Sequence, residues 1–159
     1  MKIQDKDYNC GAYAIYNALR SVGIRASVKK ISKIAATTPA GTDQAGMIAA
    51  LTHFGIKPNV FASTNSKRLF EELTLNQFHL NKETGEEIRL NYPIVACINN
   101  YAHWVVILSY LPTYDKFIVL DSNNSKANKA ENGIHVVTYD TLIRRWRNKS
   151  DGRYYGISF

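Results

Sequence analysis

Apolar residues recur at helical spacing through the first third of the chain and at strand-like spacing through its last part. From Cys10 onward, Ile15, Leu19 and Val22 fall on one helical face, with Ala12 and Ala18 beside them. That is the spacing of an amphipathic helix. Asn9 is placed to cap its start and Gly23 to stop it, so a helix is expected over residues 10–22. A second helix is expected over 28–36, capped by Ser27, with Ile31 and Ile34 inward. After a loop of Thr38, Pro39, Ala40, Gly41 and Thr42, Asp43 caps a third helix reaching Phe54. Met47, Leu51 and Phe54 lie along one side of it, and Gly55 ends it. KRLFEELTL reads as one more helix, and residues 76–92 as a hairpin or irregular loop around KETGEE.

From Pro93 the pattern changes. IVACI, HWVVILSY, KFIVLD and IHVVTY are rich in β-branched and aromatic residues. Asn99–Asn100, residues 112–115 and the polar run 122–133 separate them. TLIRRWR reads as a short helix and RYYGISF as a last strand. Helices followed by hairpin-connected strands predict an α+β architecture with a mainly antiparallel sheet, not a doubly wound one. No repeat or linker interrupts the 159 residues, so one domain over 1–159 is expected.

Composition narrows the class. An apolar fraction of 45% argues against long disorder. No apolar run reaches the roughly 18 residues of a membrane-spanning helix, and no apolar signal region opens the chain. A cytoplasmic location is the expectation. The net charge of +7 gathers partly in Arg144, Arg145, Arg147, Lys149 and Arg153, and partly in Lys29, Lys30 and Lys33. These read as solvated faces; without a nucleic-acid-binding module beside them, no nucleic acid is expected as partner. The two cysteines do not suggest a disulfide framework. Cys97, inside IVACI, reads as a buried core thiol. The cysteines and the four histidines lack the close spacing of a zinc site, and no cofactor or metal is expected.

Four residues carry candidate chemistry. Cys10 stands at the start of the first helix, where unpaired N–H groups and the helix dipole favour a thiolate. Gly11 should leave the thiol open to substrate. Gln4, six positions earlier, could supply a side-chain donor beside the Cys10 N–H for the oxyanion of an attacked carbonyl. His103 opens a strand, sharing a face with Val105 and Ile107, and could act as base. Asp121 ends the next strand of the same hairpin. Antiparallel pairing brings the start of one strand beside the end of the next, and so His103 beside Asp121, where it could orient the imidazole. Alone, each has an ordinary reading: a small residue at a helix start, a surface glutamine, a hydrogen-bonded core histidine, a turn aspartate. Of the other histidines, His53 lies in a helix, His79 in the uncertain segment, and His135 at the head of a short edge-like strand.

Taken together, Gln4, the run Asn9–Cys10–Gly11–Ala12, GTDQAGMIAALTHFG, YPIVACI, HWVVIL, FIVLDSN and the helix with Trp146 resemble the papain-like cysteine peptidases. Within them they are similar to the double-glycine-leader peptidase-like group. The resemblance implies an N-terminal helical part packed on a C-terminal antiparallel sheet with a cleft between them. It implies Cys10 as nucleophile, His103 as base, Asp121 as orienter and Gln4 as oxyanion donor, acting on a peptide or protein substrate. Two positions depart from the group's usual pattern: Asn9 where aspartate is usual, and Ser122 where proline is common. The readings that compete with a peptidase are another acyl-transfer enzyme on the same fold (deamidase, isopeptidase or transferase) and a non-catalytic peptide-binding module.

Overall fold

The computed structural model describes residues 1–65 and 93–159. The expected helix KRLFEELTL and the ambiguous segment 76–92 lie outside the described residues. The three N-terminal helices are α1 (Cys10–Ser21), α2 (Val28–Ile34) and α3 (Gln44–His53). Ser27 caps α2 by accepting from Lys30 N at 3.2 Å, and Asp43 caps α3 by accepting from Gly46 N at 2.7 Å. Asn9 occupies the cap position of α1 but its side chain does not cap. Its amide instead donates to Asp5 Oδ1 at 2.6 Å. A carboxylate only accepts, and a bond to it is stronger than one between neutral groups. The Asn9 side chain therefore engages none of the α1 N–H groups beside Cys10. Helix α2 stops two residues earlier than its apolar pattern suggests, close to Ala36, which takes a left-handed φ of 48°.

Among the described residues the sheet has six strands, all paired antiparallel. They are β1 (Asn59–Ser63), β2 (Ile94–Ile98), β3 (His103–Leu111), β4 (Lys116–Leu120), β5 (Ile134–Thr138) and β6 (Tyr154–Ser158), in the order β1-β6-β2-β3-β4-β5. Two helices complete the chain, the short α4 (Lys126–Ala130) and α5 (Tyr139–Trp146). Neither β1 nor α4 has a strong sequence signal. Strand β1 is a half-exposed edge with only Val60 and Phe61 as strand-favouring residues. Helix α4 buries only Asn128, so it has no apolar face to read.

Each face of the sheet carries its own core. On one, Val95, Cys97, Trp104, Val106, Leu120 and Ile157 meet Ile15, Leu19, Ile31, Met47 and Leu51 of α1, α2 and α3. On the other, Ile94, Ala96, Ile98, Val105, Ile107 and Val119 meet Leu142 and Trp146 of α5. Strand β2 lies between the two layers and is buried at all five positions. That is why IVACI reads as a continuous apolar run instead of an alternating one.

The β2–β3 turn positions the start of β3. Asn99, Asn100 and Tyr101 all have left-handed φ, at 54°, 58° and 63°. Such a backbone costs a non-glycine residue roughly 1–2 kcal/mol, so the turn needs outside support. Asn99 N donates to Arg145 O at 2.8 Å, Lys149 N donates to Asn100 Oδ1 at 2.9 Å, and Tyr101 donates its hydroxyl proton to Asp151. Helix α5 is thus the brace of this corner. It is anchored by Trp146, which is 1% exposed, donates to Tyr155 O at 2.7 Å and packs edge-on against Phe61 and Tyr154. Trp146→Ala should cost about 3–5 kcal/mol of unfolding free energy, the range for a buried aromatic. Urea titration followed by circular dichroism measures it.

Candidate active site

The four sequence-predicted residues meet at the end of the sheet where α1 begins. Cys10 is the first residue of α1, His103 the first of β3, and Asp121 directly follows β4. Gln4 joins them because the N-terminal segment runs along the end of β4, with Gln4 N donating to Ser122 O at 2.7 Å. The Gln4 side chain accepts from Ser122 Oγ at 3.0 Å and donates to Lys6 O at 3.0 Å and, more weakly, to Asp7 O at 3.4 Å. Ser122, where the related peptidases often have proline, is therefore the residue that orients Gln4. All four side chains are buried.

His103 is the centre of the cluster. Its Nε2 lies 2.7 Å from Asp121 Oδ1. The carboxylate can only accept, so Nε2 carries the proton and Nδ1 is the ring nitrogen left to interact with Cys10. Burial disfavours the imidazolium, but the bonds to Asp121 and Cys10 outweigh it and raise His103 from 6.5 to about 9. Burial likewise opposes the Cys10 thiolate. It is outweighed by His103 and by the Trp104 and Gly11 backbone groups, which bring the thiol below its ordinary value. Asp121 is held below the usual carboxylate range: burial works against its charge, but His103, the Asn123 N–H at 2.9 Å and Arg145 favour it. Arg145 places a guanidinium nitrogen 3.7 Å from Asp121 Oδ2.

Three expectations change. Cys10 is not an accessible thiol: it is buried, 6% exposed, little more than Cys97 at 3%. Gly11 does not open the site either. A Cβ there would stand 2.8 Å from the Thr42 side chain and 3.0 Å from Met47 Sδ, so the glycine admits the 38–42 turn against α1. The two thiols differ in charge instead, since burial pushes Cys97 up to about 12. Finally, Arg145 reads in sequence as one of a solvated basic group, yet it faces Asp121. Its helical position beside Trp146 was the available signal.

Two cavities flank the cluster. One, about 550 Å³, is polar and includes Gln4, His103, Asp121, Asn123 and Arg145 in its wall. The other, about 570 Å³, is walled by Phe61, Cys97, Tyr101, Trp104 and Tyr155, with Arg153 at one side. Cys10 lines neither; His103 lines the first and Trp104 the second.

Helices packed on a six-stranded antiparallel sheet, with cysteine at the helix start and histidine on a strand, define the papain-like cysteine peptidase class. The chain belongs to the Peptidase C39 family, whose model matches residues 1–136, and it is a cysteine peptidase. Its fold is similar to that of the peptidase domain of Streptococcus ComA, a bi-functional ABC transporter involved in a quorum-sensing pathway. The TM-score is 0.67 at 13% identity, over 98% of this chain and 93% of that one. It is similar also to a double glycine motif protease from an AMS/PCAT transporter, solved with its leader peptide: TM-score 0.66, 13% identity, 98% and 88% coverage. UfSP from C. elegans shares the fold at TM-score 0.55 and 14% identity, over 98% of this chain but 30% of that one. A sequence search of curated proteins finds no match. Among the described residues no helix is long and apolar enough to cross a membrane.

The coupled charges predict a pH signature. His103 binds its proton more tightly folded than unfolded, so its stabilisation is complete below about pH 6.5 and is lost as pH rises through about 9. Cys10, with a lowered value, runs the other way: its share is present above its ordinary 9.0 and is lost as pH falls through the lowered value. In the wild type the two slopes oppose each other. Cys10→Ala leaves only the His103 slope, ending below the wild-type value because Cys10 helps raise His103, so unfolding free energy should start to fall above about pH 6.5 more steeply than in the wild type. Denaturant titrations across that range test it; parallel curves would contradict the coupling.

Proposed function

We propose that the protein hydrolyses a peptide bond through a Cys10–His103–Asp121 triad and an acyl-enzyme intermediate. The observation that carries this reading is the buried imidazole bonded to Asp121 at 2.7 Å and electrostatically coupled to the Cys10 thiol. The Cys10 thiolate attacks the substrate carbonyl. The His103 imidazolium gives its proton to the departing amine, and neutral His103 then takes a proton from the water that releases the acid. Asp121 holds the ring and favours its charged form. The oxyanion meets the Cys10 N–H and the Gln4 amide, whose 3.4 Å bond to Asp7 O is the weaker of its two and the one given up to substrate.

The substrate is a peptide or protein segment lying across the thiol. His103 and Gln4 both wall the polar cavity and neither walls the aromatic one, so the polar side receives the leaving segment. The aromatic side then holds the acyl segment. The likeness to a leader-peptide-bound protease supports a peptide as substrate. The location in the cell stays as the sequence suggests, cytoplasmic, and one domain over 1–159 accounts for the reading.

Profiling cleavage of a peptide library tests the reaction, with circular dichroism as the control for folding. Cys10→Ala and His103→Ala should abolish turnover. Gln4→Ala should lose about a hundred- to a thousandfold in rate with binding little changed. Asp121→Ala should retain little, because the Asn123 side chain is engaged by Ser125 N and the Asn124 side chain by Asp7, so neither is free to replace it. Turnover by Cys10→Ala would end the thiol mechanism, and wild-type rates in Gln4→Ala would end the oxyanion role.

A further inference from the structure

The turn that carries Asp121 is closed by a side chain that touches neither His103 nor Cys10. Asn128, on α4, is 5% exposed. Its Nδ2 donates to Asp121 O at 2.8 Å and also to Asn123 O, bracketing the turn from both sides. The enclosed residues make the contact that matters: Asn123 N–H and His103 Nε2 both reach Asp121 Oδ1. Asn128 thus fixes the main chain from which the carboxylate is aimed.

The orientation of this amide is itself determined. Asp121 O and Asn123 O are acceptors, so the NH₂ end must face them and Oδ1 must face away. On that other side stands His135 Nε2, in hydrogen-bond contact with Asn128 Oδ1. His135 Nδ1 lies 2.9 Å from Glu131 Oε2. One N–H on Nε2 is enough to hold the asparagine, and Glu131 lies against the other ring nitrogen. The surrounding backbone closes the same unit. Asp121 N donates to Gly133 O at 2.8 Å and Gly133 N to Asn128 O at 2.9 Å. A Cβ at Gly133 would come within 2.5 Å of Asp121 O. The charged or titratable groups around the shared cavity are Asp7, His103, Asp121 and Arg145, with Glu131 on the outer side of His135.

We infer that Asn128 is a positioning residue for the peptidase site, acting through Asp121, and that His135 locks Asn128 in the orientation this requires. The inference rests on the proposed role of Asp121 as orienter of His103. A turn freed of Asn128 lets Asp121 Oδ1 leave the imidazole, and the thiolate then loses part of its counter-charge.

Site-resolved alkylation of Cys10 by iodoacetamide across pH reads this without a known substrate. In Asn128→Ala and His135→Leu, the alkylation rate at mildly acid pH should fall by about tenfold, a usual loss when an outer partner of a site is removed. At pH above the ordinary thiol value the rates should match the wild type. His135→Gln keeps an N–H donor toward Asn128 and should restore the acid limb. Asp121→Ala should show the same displacement or a larger one. If Asp121→Ala shifts the profile while folded Asn128→Ala and His135→Leu superimpose on the wild type, the inference is overturned, even if both melt at lower temperature. If Asp121→Ala also superimposes, the orienting role of Asp121 fails, and the inference with it. Should Asn128→Ala fail to fold, His135→Leu, at a side chain one-quarter exposed, decides the outcome alone.

Discussion

One imidazolium between two acidic groups governs this corner of the molecule. Cys10 and Asp121 are both buried, and both are shifted toward their charged forms. Two buried anions without a cation between them would each revert to the neutral form, because burial disfavours charge. His103 touches both and is raised to about 9 by doing so. Every element nearby serves that placement. The start of α1 presents the sulfur, the β2–β3 turn sets the first residue of β3, and the loop after β4 turns the carboxylate inward.

The support is unequal in kind. The thiol rests on a helix start whose cap side chain has been drawn away by Asp5, so the local N–H dipoles remain available to it. The imidazole rests on strained backbone, three consecutive left-handed residues braced by α5. The carboxylate rests on bonds from the Asn123 N–H and His103 and on the Arg145 charge 3.7 Å away, while Asn128 holds the Asp121 carbonyl.

Much of this was legible in the residues. Periodicity located the three N-terminal helices to within a residue or two, and β-branched runs located β2 to β6. The Cys10 and His103 candidates stood out because few side chains suit a nucleophile or a base. Asp121 followed from hairpin pairing, without any signal of its own. What escaped notice depends on contacts distant in sequence. Arg145 looks like one more surface cation until the 99–101 turn is seen to dock on its carbonyl. Asn128 lies in a polar stretch with no periodicity, since its worth is two carbonyls across a turn. Asn9 has the right residue type for a cap, and a better acceptor nearby took its amide. Gly11 seemed to open the thiol, and a loop from beyond α2 fills the space it leaves.

The place of β6 has a consequence for how the molecule comes into being. It is the last strand in the chain, yet it lies inside the sheet, between β1 and β2. Gln4 and Ser122, which meet directly, are 118 residues apart. A nascent chain emerging from the ribosome can form α1, α2 and α3 early, because their bonds are local. It cannot join β1 to the rest of the sheet until residues 154–158 arrive. Loop closure over such separations is slow relative to helix formation. Cys10 therefore precedes by more than 90 residues the strands that bring His103 and Asp121 to it. The gap between β1 and β2 closes only when β6 fills it.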